Sequence, residues 1–361
     1  LPAGPQPINV TGVDYTHPHT ENGGDLYLTS EGSAHSELLQ PDNWYDLSWF
    51  RTHREELEGT GAVYASPSKP VDGETLVLVV KFSRVGQKVP LGTRVIRDLL
   101  SCEFNSPFEE FALVEELRHS QRGDEDVMVK TSKPLAIYVP PDTWQPSQTG
   151  RFQWRIANRV AKHPGIAIDI LRDYIMVYGW LTGIDICQAE AMGWLSHDEM
   201  LALNQRAIDE SESKGFQVQD MKPVQVIVQP TSASELQRDR DRVAYGMVDF
   251  ELLERTPEYE SEILKDRHRW YQRRRRMMKL TAGNGSAEAP PRPDNLHTTR
   301  VFGVDYHYGH CESTAGALWV VGNDPDLFDY YLPERWRTTA HMRLFENHET
   351  YLTTSKDAVR L

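Results

Sequence analysis

Three parts of the sequence set ionisable side chains where carboxylate or ammonium chemistry is possible. Ser213–Val228 leaves a helix-like stretch, turns at Gly215 and enters an apolar strand, with Asp220, Lys222, Pro223 and Gln225 in between. An Asp in a turn is most often bonded to its own backbone, yet Asp-x-Lys-Pro directly ahead of a strand is a distinctive arrangement. Lys81 lies in the apolar run Leu76–Phe82 ahead of Glu109, Glu110, Glu115 and Glu116, and Asp249 closes the apolar run before Phe250. A lone Lys in a strand is usually an edge residue, and an Asp ending a strand is commonplace. The third set is Asp14, His19 and Glu21, mirrored by Asp305, His310 and Glu312. These are hard-to-borderline metal ligands, or the polar bonds of a hairpin with Gly12, Gly24, Gly303 and Gly316 at its turns.

The first two sets together resemble the protein-kinase family. That family writes its catalytic loop G-x-x-H-R-D-x-K-P-x-N before a strand; here Asp220, Lys222 and Pro223 stand at the matching spacing, Val218 and Gln219 replace the His-Arg pair, and Gln225 replaces the metal-binding Asn. Val248-Asp249-Phe250-Glu251 resembles D-F-G with Glu for Gly, and Val79-Val80-Lys81-Phe82 resembles the V-A-I-K strand. Glu110 resembles the helix glutamate that holds the lysine, with Glu109, Glu115 and Glu116 as alternatives, and Gly59 and Gly61 resemble a shortened glycine-rich loop.

The resemblance spans about residues 57–260 and implies ATP with Mg²⁺ or Mn²⁺. Lys81, steadied by Glu110, would meet the phosphates, with Gly59 and Gly61 over them. Asp249 and Gln225 would hold the metal, Asp220 would take the acceptor's proton and Lys222 would steady the transferring charge. Pro140 and Pro141 fall at the expected hinge, where they offer no N–H to a base. Glu251 adds a carboxylate near the metal.

These groups need elements to position them. Val63-Tyr64 and Leu76–Phe82 read as strands, Phe108–Arg118 as a helix, Val127–Val139 as a strand pair, and Ile166–Leu181 and Ser196–Ser213 as helices. Ser196 with Glu199 is an N-terminal capping signal. Strands before helices is the order of an α+β body. Thr281–Pro293 has linker composition, and beyond it Val301–Tyr306 repeats Val10–Tyr15, with Leu318, Trp319 and Trp336 answering Leu26, Tyr27 and Trp44. The duplication points to a protein partner bound through the two copies.

Composition narrows the classes. With 361 residues, a net charge of −14 and 25% charged residues, the chain reads as globular and acidic, which disfavours nucleic acid as a partner. Cys102, Cys187 and Cys311 are too far apart in sequence for a CxxC site and suggest a reducing, cytoplasmic setting. No stretch is apolar enough to span a bilayer. The expectation is therefore an α+β, two-lobed protein-kinase-like fold with a minimal C-lobe, flanked by two copies of a small β-rich module. Its parts are copy 1 at 1–56, N-lobe at 57–141, C-lobe at 142–280, linker at 281–300 and copy 2 at 301–361. The activity expected is ATP-dependent phosphotransfer to an unknown hydroxyl, or, in a degenerate member, nucleotide sensing or scaffolding without transfer.

Overall fold

A computed structural model describes residues 7–57, 61–90, 102–123, 127–162, 168–232 and 235–263, with the strands 297–301, 304–311, 317–321 and 331–332. The chain is mixed α and β and divides into two units, Leu1–Ile263 and Leu264–Leu361. In the first, β1 (Ile8–Val10) and β2 (Val13–Tyr15) form a hairpin. Its turn places Thr11 and Gly12 at φ of 53° and 90°, the positive values a tight hairpin needs. The Thr11 hydroxyl donates to the Phe108 carbonyl at 3.2 Å, and the buried Tyr15 meets the Phe108 ring edge-on at 5.6 Å.

Next come β3 (Asp25–Leu28) and three short helices, α1 (Ser30–Ser33), α2 (Pro41–Trp44) and α3 (Leu47–His53). The strands β4 (Glu55–Glu56), β5 (Val63–Pro67) and β6 (Val77–Phe82) follow, then helix α4 (Pro107–Arg118). Ser106 and Glu109 close a capping box at the start of α4, and Pro107 occupies its first turn. After β7 (Lys130–Thr131) and β8 (Pro134–Val139) come α5 (Pro146–Thr149), α6 (Gln153–Lys162) and β9 (Ile175–Gly179).

Six of these strands form one antiparallel sheet in the order β3-β8-β9-β6-β5-β4. Both faces are covered. Leu78, Val80, Ala136 and Val177 pack against Leu26, Leu28, Trp44 and Phe50, while Val79, Ile137, Met176 and Tyr178 pack against Phe108 and Phe111 of α4. Strand alternation sets Lys81 on the α4 side, with Val79.

Four expectations need correction. Ile166–Leu181 does not form a helix: its apolar core Ile175–Tyr178 is the centre of the sheet, buried on both sides, where a continuous apolar run fits a strand as well as a helix. Consequently Pro140 and Pro141 do not link the sheet to the helical part. The Pro140 carbonyl instead accepts from Arg172 at 2.9 Å, and the link runs through Trp180–Gly183 after β9. The strands β7 and β8 are adjacent in sequence but belong to different sheets. The main sheet draws on residues 25–179 and so crosses the boundaries expected near 57 and 141.

The remainder of this unit is organised by α8. The strand β10 (Ile184–Asp185) leads into α7 (Ile186–Ala191) and α8 (His197–Ser213), which carries the Ser196–Glu199 capping box read from the sequence. Then follow β11 (Phe216–Val218), a 3-10 turn at Pro223–Gln225 and β12 (Val226–Val228). Two short hairpins, β13 (Pro230–Ser232) with β14 (Glu235–Leu236) and β15 (Arg238–Asp239) with β16 (Arg242–Val243), precede β17 (Tyr245–Met247) and β18 (Leu253–Arg255). The pairs β12–β17 and β11–β18 bracket the Asp220 and Asp249 turns. Leu203, Ala207, Phe216, Val226 and Phe250 form the core beneath them.

In the second unit, β19 (His297–Val301), β20 (Val304–Cys311), β21 (Ala317–Val321) and β22 (Tyr331–Leu332) pair in sequence order. Val301 faces Val304 and Thr299 faces Tyr306, the register in which Val10 faces Val13 and Ile8 faces Tyr15. The expected linker at 281–293, and Glu312, Gly316 and Trp336, lie outside the described residues. Among the described residues, no helix is long and apolar enough to cross a membrane.

The seat of α1 on β8 gives a test. A Cβ on Gly32 would stand 1.9 Å from the Leu135 carbonyl oxygen. Gly32→Ala is expected to destabilise the first unit by roughly 2–3 kcal/mol, read as a lower urea midpoint; an unchanged midpoint would contradict the close approach.

Candidate functional site

Lys81 comes from the middle of the sheet with its side chain 6% exposed. Burying an ammonium requires carboxylates and hydrogen bonds around it. Its Nζ donates to Glu110 Oε1 at 3.2 Å and to Asp249 Oδ1 at 2.8 Å, and Glu251 Oε2 stands 3.9 Å away. Residues 29 and 168 positions distant in sequence therefore meet at one nitrogen.

The phase of α4 decides which glutamate does this. Glu109 is held in the capping box with Ser106, Glu116 binds Arg255 and Glu115 lies beside Arg118 at 3.6 Å. Glu110 points to the sheet, where the Tyr178 hydroxyl also donates to its Oε1 at 2.7 Å.

Asp249 sits between β17 and β18 at φ 67°. That left-handed backbone is uncommon outside glycine, although Asp tolerates it better than most residues. The turn is fixed by the Val248 N–H, which donates to the Gln225 carbonyl at 3.0 Å. The Gln225 amide nitrogen donates to Asp249 Oδ2 at 3.2 Å, and its side-chain oxygen accepts from the Lys222 N–H at 2.6 Å. Gln225 therefore presents nitrogen, not oxygen, to Asp249.

In the neighbouring turn, Lys222 Nζ donates to Asp220 Oδ2 at 3.0 Å. Asp220 is 5% exposed, and its Oδ1 has no hydrogen-bond partner among the described residues. A buried carboxylate oxygen left without a donor is unusual.

Charge in the cluster is unbalanced. Arg84 Nη1 donates to Glu251 Oε1 at 3.1 Å, so Lys81 and Arg84 face Glu110, Asp249 and Glu251. Burial disfavours the charged form of Lys81, but Asp249, Glu110 and Glu251 outweigh it and raise its pKa. Burial likewise pushes Asp249 up, and Lys81 with the Gln225 amide more than offsets this, holding it below the usual carboxylate range. Glu110 is raised by burial against the pull of Lys81 and Tyr178. Glu251, raised by burial and by Asp249 despite Lys81 and Arg84, reaches about 7.

The sequence-read groups thus fall into one cluster of Lys81, Glu110, Asp249 and Gln225 and an adjoining pair of Asp220 and Lys222. Gly59 lies outside the described residues, and Gly61 lies against Arg84, whose Cδ would be 3.2 Å from an added Cβ. Tyr178 and Arg84 are the contributors the sequence reading missed. Their signal was slight: a tyrosine in an apolar strand, and an arginine three residues past Lys81. Asp14 accepts from the Asn9 amide at the exposed hairpin. Among the described residues, no cluster of three or more His, Cys, Asp or Glu side chains is placed to share a metal ion.

The buried Glu251 sets a pH dependence. Its folded pKa of about 7 exceeds the ordinary 4.5, so the native state binds the extra proton. Its contribution to stability is complete below about pH 4.5 and is lost as pH rises through about 7. In metal-free buffer, Glu251→Gln is expected to shrink the fall in unfolding free energy between about pH 5 and about pH 8 by about 1–3 kcal/mol. An equal fall in parent and variant, measured by urea unfolding, would contradict the assignment. No protein-family model matches the chain, and no curated protein matches it.

Proposed function

We propose that the first unit is an atypical, protein-kinase-like phosphotransferase that uses ATP and a divalent cation to phosphorylate a hydroxyl. The observation that carries this is the meeting of Lys81, Glu110 and Asp249 at one buried ammonium. Support also comes from the sheet order, from helix α4 following the lysine strand, and from a helical body joined to the sheet by the short segment after β9. In this reading the sheet with α4 is the N-lobe, and Ile184–Ile263 is a small C-lobe.

The donor set fits Mg²⁺, which takes only one or two protein carboxylates and completes its shell with phosphate and water. Asp249, with its side chain 38% exposed, is the accessible carboxylate, and Glu251 is the second. When bound, the ion spreads the charge of the phosphates. Gln225 acts here by orienting Asp249, because its oxygen is engaged by Lys222.

The residues divide the remaining work. Glu110 and Tyr178 hold Lys81 at the phosphate side, where its charge favours the transferring group. Asp220 takes the proton of the acceptor hydroxyl as that hydroxyl's oxygen bonds to the γ-phosphorus and the bond to the β-phosphate oxygen breaks. Lys222 holds Asp220 in place through its 3.0 Å contact. Holding these groups in place supplies most of what phosphoryl transfer requires.

A pseudokinase that senses nucleotide without transfer is the second reading, favoured by the Lys222 N–H contact that turns the Gln225 oxygen from Asp249. Asp249→Ala is expected to abolish Mg²⁺-dependent ATP binding in calorimetry. Asp220→Ala should leave ATP affinity near that of the parent while turnover falls about 100-fold or more. Turnover equal to the parent in Asp220→Ala would remove Asp220 from catalysis, and ATP binding without turnover in the parent would favour the sensor.

A further inference from the structure

In the connection between β8 and β9, Phe152 and Trp154 stand 47% and 49% exposed, with their ring centroids 6.5 Å apart. The core contact of α6 is Ile156 instead. It is 6% exposed and seated so closely on Gly86 that a Cβ there would stand 2.8 Å from its Cδ1. With Ile156 turned inward, the helical period turns Trp154 outward, and the positions of Asn158 and Lys162, four and eight residues on, fall on the same side. The backbone holds this display in place. The Phe152 N–H donates to the Gly86 carbonyl at 2.8 Å, and the Phe152 carbonyl accepts from the Arg155 N–H at 3.0 Å.

We propose that this face of α6 docks on an anionic lipid bilayer, lying in its interface without crossing it. A bilayer interface takes aromatic rings beside basic groups, the rings entering the headgroup boundary and the cations meeting acidic lipids. Charge decides the occupant. From Thr143 to Ile168 the chain has Arg151, Arg155, Arg159 and Lys162 but no Asp or Glu, in a protein whose net charge is −14. Arg151 is committed inside the fold, to the Ile170 and Arg172 carbonyls, so the attraction falls to α6. There the Arg155 guanidinium lies 4.5 Å from the Trp154 ring centroid, with Glu103 3.8 Å away.

A second copy of the chain suits the face less well, because a two-fold contact would set one basic α6 against another. The rest of the chain is net acidic and is repelled by an anionic surface, which orients the contact on α6. Two rings and a few cations give reversible docking rather than permanent anchoring. Docking here does not depend on phosphotransfer.

The test is co-sedimentation of the full chain, without nucleotide, with sucrose-loaded vesicles of phosphatidylcholine alone or mixed with phosphatidylserine. Partition onto the phosphatidylserine vesicles is expected to be at least about tenfold stronger than onto phosphatidylcholine, and to fall as salt is raised. Replacing Phe152 and Trp154 together by Ala should weaken it at least about tenfold. Lys162→Glu should weaken it on the phosphatidylserine vesicles alone, and Trp180→Ala, at an exposed tryptophan after β9, should leave it unchanged. Circular dichroism of each variant separates unfolding from loss of docking. Absence of partition, equal partition onto both vesicles, or unchanged partition of the folded Phe152 and Trp154 variant would overturn the proposal. So would self-association without vesicles that the same variant abolishes, which would assign the face to a second copy.

Discussion

The ammonium of Lys81 is the constraint on which the described site depends. It is buried between a sheet and a helix, so it can remain charged only if carboxylates come to it from elsewhere in the chain. Glu110 arrives on α4 and Asp249 on the turn between β17 and β18. One ion cluster thus locks the lysine strand, the helix above it and the Asp249 turn into a single register. Breaking a buried pair leaves an uncompensated charge at a cost of about 3–5 kcal/mol, so the arrangement is held far more firmly than a surface ion pair.

The scaffold around that nitrogen follows from covering both faces of one sheet. The helix α4 covers the face that carries Lys81, and the N-terminal segment covers the other with Leu26, Leu28, Trp44 and Phe50. The N-terminal segment is therefore not an appended module. Its third strand is an edge strand of the main sheet, paired with β8. Gly32 and Thr29 seat it on the Pro134 and Leu135 carbonyls, contacts that need the whole sheet to exist.

Much of the site is legible in the sequence because its residues sit in local contexts with few alternatives. Lys81 in a β-branched run, Asp220-x-Lys222-Pro223 ahead of a strand, and Asp249 after an apolar run each define a backbone setting. Their partners are less legible. Choosing Glu110 over Glu109, Glu115 or Glu116 requires the exact phase of α4, which the Ser106 capping box fixes. The strand Ile175–Gly179 is misread as helix because a run buried on both faces has no alternation to reveal its period. That error moves the hinge to Pro140–Pro141 and hides Tyr178 as the neighbour of Glu110. The Gln225 amide orientation follows from the Lys222 N–H, a tertiary contact with no signature in residue type.

In the proposed function the Lys81–Asp249 cluster is a site for nucleotide phosphates and a divalent ion. The most direct measurement is thermal unfolding of the full chain with ATP, with Mg²⁺, and with both. A ligand that binds only the folded state raises the melting temperature by mass action. ATP and Mg²⁺ together are expected to stabilise the first unit beyond either alone, and Asp249→Ala to abolish that gain. No shift at millimolar ATP with Mg²⁺ would contradict a nucleotide site at this cluster.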